Sequence, residues 1–109
     1  MIASVAALAE TMHLCEAMGL DQRQLVTLLH EGPLSSAYGL EKLGEMRRHE
    51  YPAGFPVRLA LKDLQLVHEV ALSRNARMPV LDAVLELFSA ASGKHAEEDV
   101  AAIYELRAL

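Results

Sequence analysis

The stretch from Phe55 to Ala71, FPVRLALKDLQLVHEVA, decides the fold. Val57, Leu61, Leu64, Val67 or His68, and Ala71 recur at spacings of three and four, the mark of one buried helical stripe. Pro56 suits a first turn, so the spacing predicts a helix over about Pro56–Asn75. Arg58, Lys62, Gln65 and Glu69 share the side of the wheel opposite Leu61 and Leu64. A solvated face accounts for Lys62. It accounts less well for Asp63, which turns about 100° away toward Leu59 and Leu66. Two readings of the Lys62–Asp63 pair stay open: a solvent stripe, or the wall of a site.

Working outward, the chain reads as helices throughout. Met1–Met18 has helical composition and almost no polar face, ending at Gly19 as a left-handed cap. A helix apolar nearly all round should be buried nearly all round, and a 109-residue chain has little room for that. A partner surface is therefore expected on it. Asp21 is a good N-cap for Gln22–His30, with Leu25, Val26, Leu28 and Leu29 inward. Gly32-Pro33 breaks that helix. A third is expected over Ser36–Arg47, with Tyr38, Leu40, Leu43 and Met46 as its apolar side and Gly39 and Gly44 against it. HEYPAGF, 49–55, is a loop by its Pro and Gly. Pro79 opens a fifth helix with Val80, Val84, Leu87, Phe88 and Ala91 inward, ending at Gly93. A sixth is expected over Glu97–Leu106, with Glu97, Glu98 and Asp99 in its first turn, where the helix dipole favours anions. No strand pattern, repeat or linker interrupts, so the expected class is all-α, about six helices in one bundle-like domain.

The totals exclude several functions. The formal charge is −5 and no basic run exceeds Arg47-Arg48, so no phosphate-neutralising footprint is present and nucleic acid is not an expected partner. Glu10, His13 and Glu16 break the apolar first segment, which makes a poor membrane span and a poor signal peptide. A single cysteine, Cys15, allows no disulfide within the chain and fits a reducing cytoplasm. The five histidines, at 13, 30, 49, 68 and 95, never fall at i, i+3 or i+4 from one another, so no metal site is expected. Ser35-Ser36 lacks a Gly-x-Ser-x-Gly elbow and reads as a helix cap. No glycine-rich phosphate loop occurs, and no strand to carry one.

At this point the residues resemble a family. VAALAETMHLCEAMGLD (5–21), FPVRLALKDLQLVHEVA (55–71), MPVLDAVLELFSAASG (78–93) and the EED beyond it (97–99) look, in this order and spacing, like the C-terminal helical domain of the β-hydroxyacid dehydrogenases. These are the 3-hydroxyisobutyrate dehydrogenase and glyoxylate/succinic semialdehyde reductase group, related to 6-phosphogluconate dehydrogenase. The resemblance spans 1–109 and implies an N-terminal Rossmann domain, absent here, that binds NAD or NADP. It implies a catalytic lysine and asparagine that would fall before Met1, leaving no catalytic residue in this chain. It implies that Phe55, Lys62 and Asp63 line the cofactor side of the cleft. Ser35 and Ser36 stand near the family's substrate-contacting turn, although EGPLSSAYG departs from its glycine-rich pattern.

The resemblance thus implies an oxidoreductase domain for a small 3-hydroxy acid or semialdehyde, and the apolar first helix implies homo-oligomers formed through it. Alone the chain would hold the cofactor weakly or not at all and would be inactive. The competing reading is a stand-alone helical interaction module without chemistry. The DNA upstream of Met1 separates the two. An in-frame glycine-rich strand–helix unit with a GxxxKxxxN run is expected for the enzyme; a stop codon and a ribosome-binding site there would favour the module.

Overall fold

In the computed structural model, which describes residues 1–33 and 36–106, the chain forms five α-helices and a closing 3-10 helix. They are α1 (Ile2–Ala17), α2 (Gln22–Glu31), α3 (Ala37–Arg48), α4 (Val57–Ser73), α5 (Pro79–His95) and the 3-10 helix Val100–Glu105. The all-α, six-helix expectation holds.

Three of the helices stop in the same way. After α1, Gly19 turns left-handed, its N–H reaches Glu16 O and the Leu20 N–H reaches Cys15 O. This paired closure satisfies carbonyls the helix would otherwise leave open. The same pair of bonds closes α3 through His49 and α4 through Asn75, both with positive φ. Only Gly19 advertises its stop in the sequence, because a left-handed His or Asn is uncommon. Asp21 and Ser36 cap α2 and α3, accepting from the N–H groups of Arg23 and Gly39.

α1 is central, packing on α2, α3, α5 and the closing helix, while α4 lies chiefly along α5. Val5, Met12, Leu43, Met46, Val57, Phe88, Ile103 and Tyr104 are fully or almost fully buried between these elements. Gly39 permits the closeness of α3 and α1: a Cβ there would lie 3.3 Å from Leu8 Cδ1. Three expectations need correcting, and one open alternative is settled. Leu28 and Val80 are exposed, and Leu81 takes the buried place on α5. On α4 the stripe continues through half-buried His68 rather than exposed Val67. The last element is a 3-10 helix that begins at Val100, because Asp99 leaves helical geometry to cap it.

That aspartate fixes the middle of the chain. Asp99 has no exposed surface. Its Oδ1 accepts from the N–H groups of Gly54 (3.1 Å) and Phe55 (2.9 Å), and its Oδ2 from Ala101 N–H (3.1 Å) and Lys42 Nζ (2.7 Å). Lys42, also buried, places Nζ 2.8 Å from Glu45 Oε1. Burial opposes the Lys42 ammonium, but hydrogen bonds to Asp99 and Glu45 outweigh it and hold its pKa above the usual lysine value. Burial likewise opposes the Asp99 carboxylate, and Lys42 with the Phe55 and Ala101 N–H groups holds its pKa below the usual range. Further bonds stitch the two segments: Val57 N–H to Glu98 O, Arg58 N–H to Ala96 O, Val100 N–H to Phe55 O and Asp99 N–H to Tyr51 O. Nearby, Tyr51 donates to Glu105 at 2.7 Å; burial and that carboxylate push the phenol well above its usual value.

Asp99→Asn should cost about 3–5 kcal/mol of unfolding free energy at neutral pH, the usual cost of breaking a buried ion pair on one side. Urea denaturation measures it, and an unchanged midpoint would refute the anchoring role. The depressed Asp99 pKa contributes stability that is complete above its ordinary 3.8 and is lost as pH falls through the folded value. The raised Lys42 and Tyr51 pKa values contribute stability that is complete below their ordinary 10.5 and 10.0 and decays as pH rises past them. The parent's denaturation midpoint should therefore fall at both extremes, and the acid-side fall should shrink in Asp99→Asn.

Candidate functional site

The residues singled out for the cleft lie where the anchored loop feeds α4. Phe55 is held by its own backbone: its N–H goes to Asp99 and its carbonyl accepts from Val100. The ring is half-buried against the core. Two helical turns further on, Lys62 and Asp63 are exposed on α4. Neither makes a hydrogen bond or ion pair among the described residues. Both charges are therefore available to an outside group.

The surroundings of the two differ. Arg58, Gln65 and Glu69, which share the Lys62 side, are all exposed, and Arg58 pairs with Glu97 at 2.9 Å. Asp63 stands instead in an exposed apolar row: Leu59, Leu66 and Val70 are all open to solvent. That row is on the opposite side of α4 from the buried residues Val57, Ala60, Leu64 and Ala71. α4 thus has three sectors: a core seam, a polar strip, and an open apolar strip with a carboxylate in it.

Ser36 is not part of this arrangement. It caps α3, its Oγ accepting from Gly39 N–H at 2.9 Å, and α3 packs on α1, α2 and the closing helix. Ser35 lies outside the described residues. Grooves do occur elsewhere: between α1 and α3, along α1 and α2, and between α4 and α5 at His68 and Asp82. None of these three is lined by Phe55, Lys62 or Asp63.

Among the described residues no three His, Cys, Asp or Glu side chains converge as metal ligands do. Several histidines have structural contacts instead. His13 Nε2 is 2.7 Å from the Tyr104 carbonyl, with its ring stacked on Tyr104, and His95 meets Glu98 at 2.6 Å. No helix among the described residues is long and apolar enough to cross a membrane.

The Lys42–Glu45–Asp99 cluster went unread in the sequence. Its one signal was that Lys42 and Glu45 follow Tyr38 at spacings of four and three, on the buried side of α3. A search for apolar stripes passes over it.

With this geometry in view, the comparisons with known proteins agree on one class. The chain is an all-α dehydrogenase domain: the sequence profile described as "NAD-binding of NADP-dependent 3-hydroxyisobutyrate dehydrogenase" matches residues 1–107. It belongs to that family. Among curated relatives it is similar to glyoxylate/succinic semialdehyde reductase 2, chloroplastic, of Arabidopsis thaliana, 29% identical over 102 residues, covering 93% of this chain and 28% of that one. Among solved structures, 3-hydroxyisobutyrate dehydrogenase from Salmonella typhimurium superposes with a TM-score of 0.88 at 23% identity, covering 96% of this chain and 37% of that one. The Mycobacterium tuberculosis 3-hydroxyisobutyrate dehydrogenase, solved with L-serine, gives 0.83 at 20%, covering 98% of this chain and 40% of that one. The chain thus spans well under half the length of these relatives.

Removing both unpaired charges should leave the fold intact. Lys62→Ala and Asp63→Ala should each change unfolding free energy by less than about 0.5 kcal/mol, as exposed substitutions do. A larger loss in thermal or urea unfolding would mean that the pair is structural.

Proposed function

We propose that this chain forms the helical wall of the active-site cleft in an NAD(P)-dependent oxidoreductase that interconverts an alcohol and a carbonyl on a small 3-hydroxy acid or semialdehyde. The observation that carries the reading is the unpaired Lys62–Asp63 pair, presented two turns beyond a Phe55 loop that a buried aspartate holds rigid. Sites need such positioning, because a hydride acceptor and donor react only within a narrow range of geometry. Membership of the dehydrogenase family supports the reaction class.

The fit to a dinucleotide is partial. An apolar ring at Phe55, an ammonium and a carboxylate suit the nicotinamide ring and carboxamide end of such a cofactor. The described residues contain no strand-to-helix glycine turn of the kind that cradles its phosphates, so that contact belongs to a dinucleotide-binding half. When bound, the cofactor supplies or accepts the hydride. In this reading Lys62 and Asp63 orient the reacting end, and Phe55 keeps water from it. The proton donor to the carbonyl oxygen is not among this chain's residues. The same reading gives the chain a second task, association with a copy of itself through α1.

The test joins this chain to the dinucleotide-binding half of the Arabidopsis reductase and follows NADPH oxidation with succinic semialdehyde or glyoxylate. Activity is expected in the chimera and not in the chain alone. Lys62→Ala or Asp63→Ala should lower kcat/KM by roughly 10- to 100-fold, or about 1.4–2.7 kcal/mol. Turnover by the chain alone, or an active chimera indifferent to both substitutions, would sink the proposal.

A further inference from the structure

The acidic run EED, 97–99, divides its side chains among different tasks. Asp99 anchors the Phe55 loop, and Glu98 meets His95 at 2.6 Å. Glu97 turns outward to Arg58, whose Nε–H donates to both of its oxygens, at 2.9 and 3.1 Å. The backbone sets this contact. Val57 N–H donates to Glu98 O at 2.8 Å and Arg58 N–H to Ala96 O at 3.0 Å, so the residues on either side of Glu97 are bonded to the first turn of α4. Glu97 is thereby held beside Arg58.

The contact uses only one corner of the guanidinium. Nη1 and Nη2 have no hydrogen-bond partner among the described residues, and the side chain is 52% exposed. Arg58 therefore keeps an open fork of N–H groups while its Nε fixes the orientation. The two coplanar oxygens of a carboxylate fit such a fork.

Lys62 stands one turn further on the same strip, about 6 Å along the helix. This end of the strip carries two cations against the one carboxylate of Glu97, in a chain whose formal charge is −5. The next acid on the strip, Glu69, lies about 10 Å beyond Lys62. Exposed ion pairs such as Arg58–Glu97 contribute little to folding. The opening N–H groups of α4 are already bonded to Glu98 and Ala96, so an anion here is held by side chains and not by the helix end.

We propose that Arg58 binds the carboxylate of the substrate, with Lys62 beside it at the reacting end and Glu97 positioning the guanidinium. This rests on the cleft reading above and adds to it a residue that selects acids over uncharged carbonyls. In a 3-hydroxy acid or a semialdehyde the carboxylate stands only a few ångströms from the reacting carbon, within the one-turn offset between Lys62 and Arg58. A cofactor phosphate is the poorer match: a ribose separates it from the reacting ring, and the phosphates belong to the dinucleotide-binding half.

In the chimera with the Arabidopsis half, Arg58→Gln should raise KM for succinic semialdehyde roughly 10-fold or more, the expected loss for a charged hydrogen bond, with kcat and the KM for NADPH unchanged. Turnover of butanal, which has the same carbon chain and no carboxylate, should not change. Arg58→Lys keeps the charge without the fork and should recover only part of the loss. Glu97→Ala should raise the same KM about 3-fold, the scale of an exposed ion pair. Glu97→Gln, whose amide oxygen still accepts from Nε, should raise it less. Both positions are exposed, and thermal melting should show every variant folded like the parent.

The chain by itself gives a readout independent of turnover. Titration of the isotope-labelled chain with succinate, followed by NMR, should shift the Arg58 side-chain signals saturably. Succinamide, the uncharged counterpart, and sodium chloride at equal ionic strength should leave them in place. An unmoved KM in Arg58→Gln, or an equal loss with butanal, would overturn the assignment. So would a rise confined to the KM for NADPH, or signals that answer pyrophosphate and not succinate; either would make the anion a phosphate of the cofactor. An inactive chimera would sink the cleft reading and leave the titration to decide for Arg58: a saturable shift with succinate sustains the carboxylate site, and no shift ends it.

Discussion

The burial of Asp99 is the constraint on which the remaining structure depends. Taking a carboxylate out of water costs several kcal/mol, and one lysine beside it seldom returns more than that. Here the lysine is one partner among four. The N–H groups of Gly54, Phe55 and Ala101 would be left without acceptors if an apolar residue stood at position 99, and buried N–H groups without acceptors are rare for good energetic reasons. An apolar replacement of the ion cluster could match it in burial energy but could not hold three backbone segments at fixed distances. The cluster thereby joins α3, the loop before α4 and the start of the closing helix at a single atom group. Phe55 and the first turn of α4 inherit their position from it.

How much of this was legible depends on what periodicity can see. Apolar stripes located α3, α4 and α5 and chose Leu43, Met46, Leu64, Val84 and Phe88 correctly as inward residues. The same rule misplaced Leu28 and Val80, which lie at the edges of their stripes, where a neighbour's position and not the helix's own pattern settles burial. It could not find Lys42, Glu45 or Asp99, since a charged residue in an inward position reads as a break in the pattern. It also read the last segment as an α-helix, although Asp99, by turning inward, begins a tighter 3-10 helix instead. The ends of α3 and α4 were blurred for a related reason: His49 and Asn75 take a left-handed turn that the sequence marks only where glycine takes it.

The candidate cleft residues were legible in a different sense. Lys62 and Asp63 could be named from the KDL segment, and the structure adds that both are exposed and unpaired among the described residues. It separates them by environment, Lys62 beside a polar strip and Asp63 within Leu59, Leu66 and Val70. Periodicity alone suggested that separation from the 100° step between adjacent helical residues. Ser36 caps α3, its oxygen accepting from the Gly39 N–H, as a serine standing before a helix suggests.

α1 and α4 share a design that explains why so much apolar surface stays open. Each buries one seam in the core and carries a second seam on the opposite side, so neither can be satisfied by folding of this chain alone. Exposed contiguous apolar surface on that scale ordinarily marks contact with another surface. The two open seams differ in chemistry. That of α1 has no charged side chain and grades from small to large, which suits burial in a dry contact. That of α4 carries Asp63 in its midst, and permanent burial of that carboxylate without a partner would cost what Asp99 avoids only with four hydrogen bonds. A seam with a charge in it is suited to a cleft wall that meets a polar group or water, and a seam without one is suited to a dry interface. The two faces therefore suit different kinds of contact, a difference made by the placement of a single carboxylate.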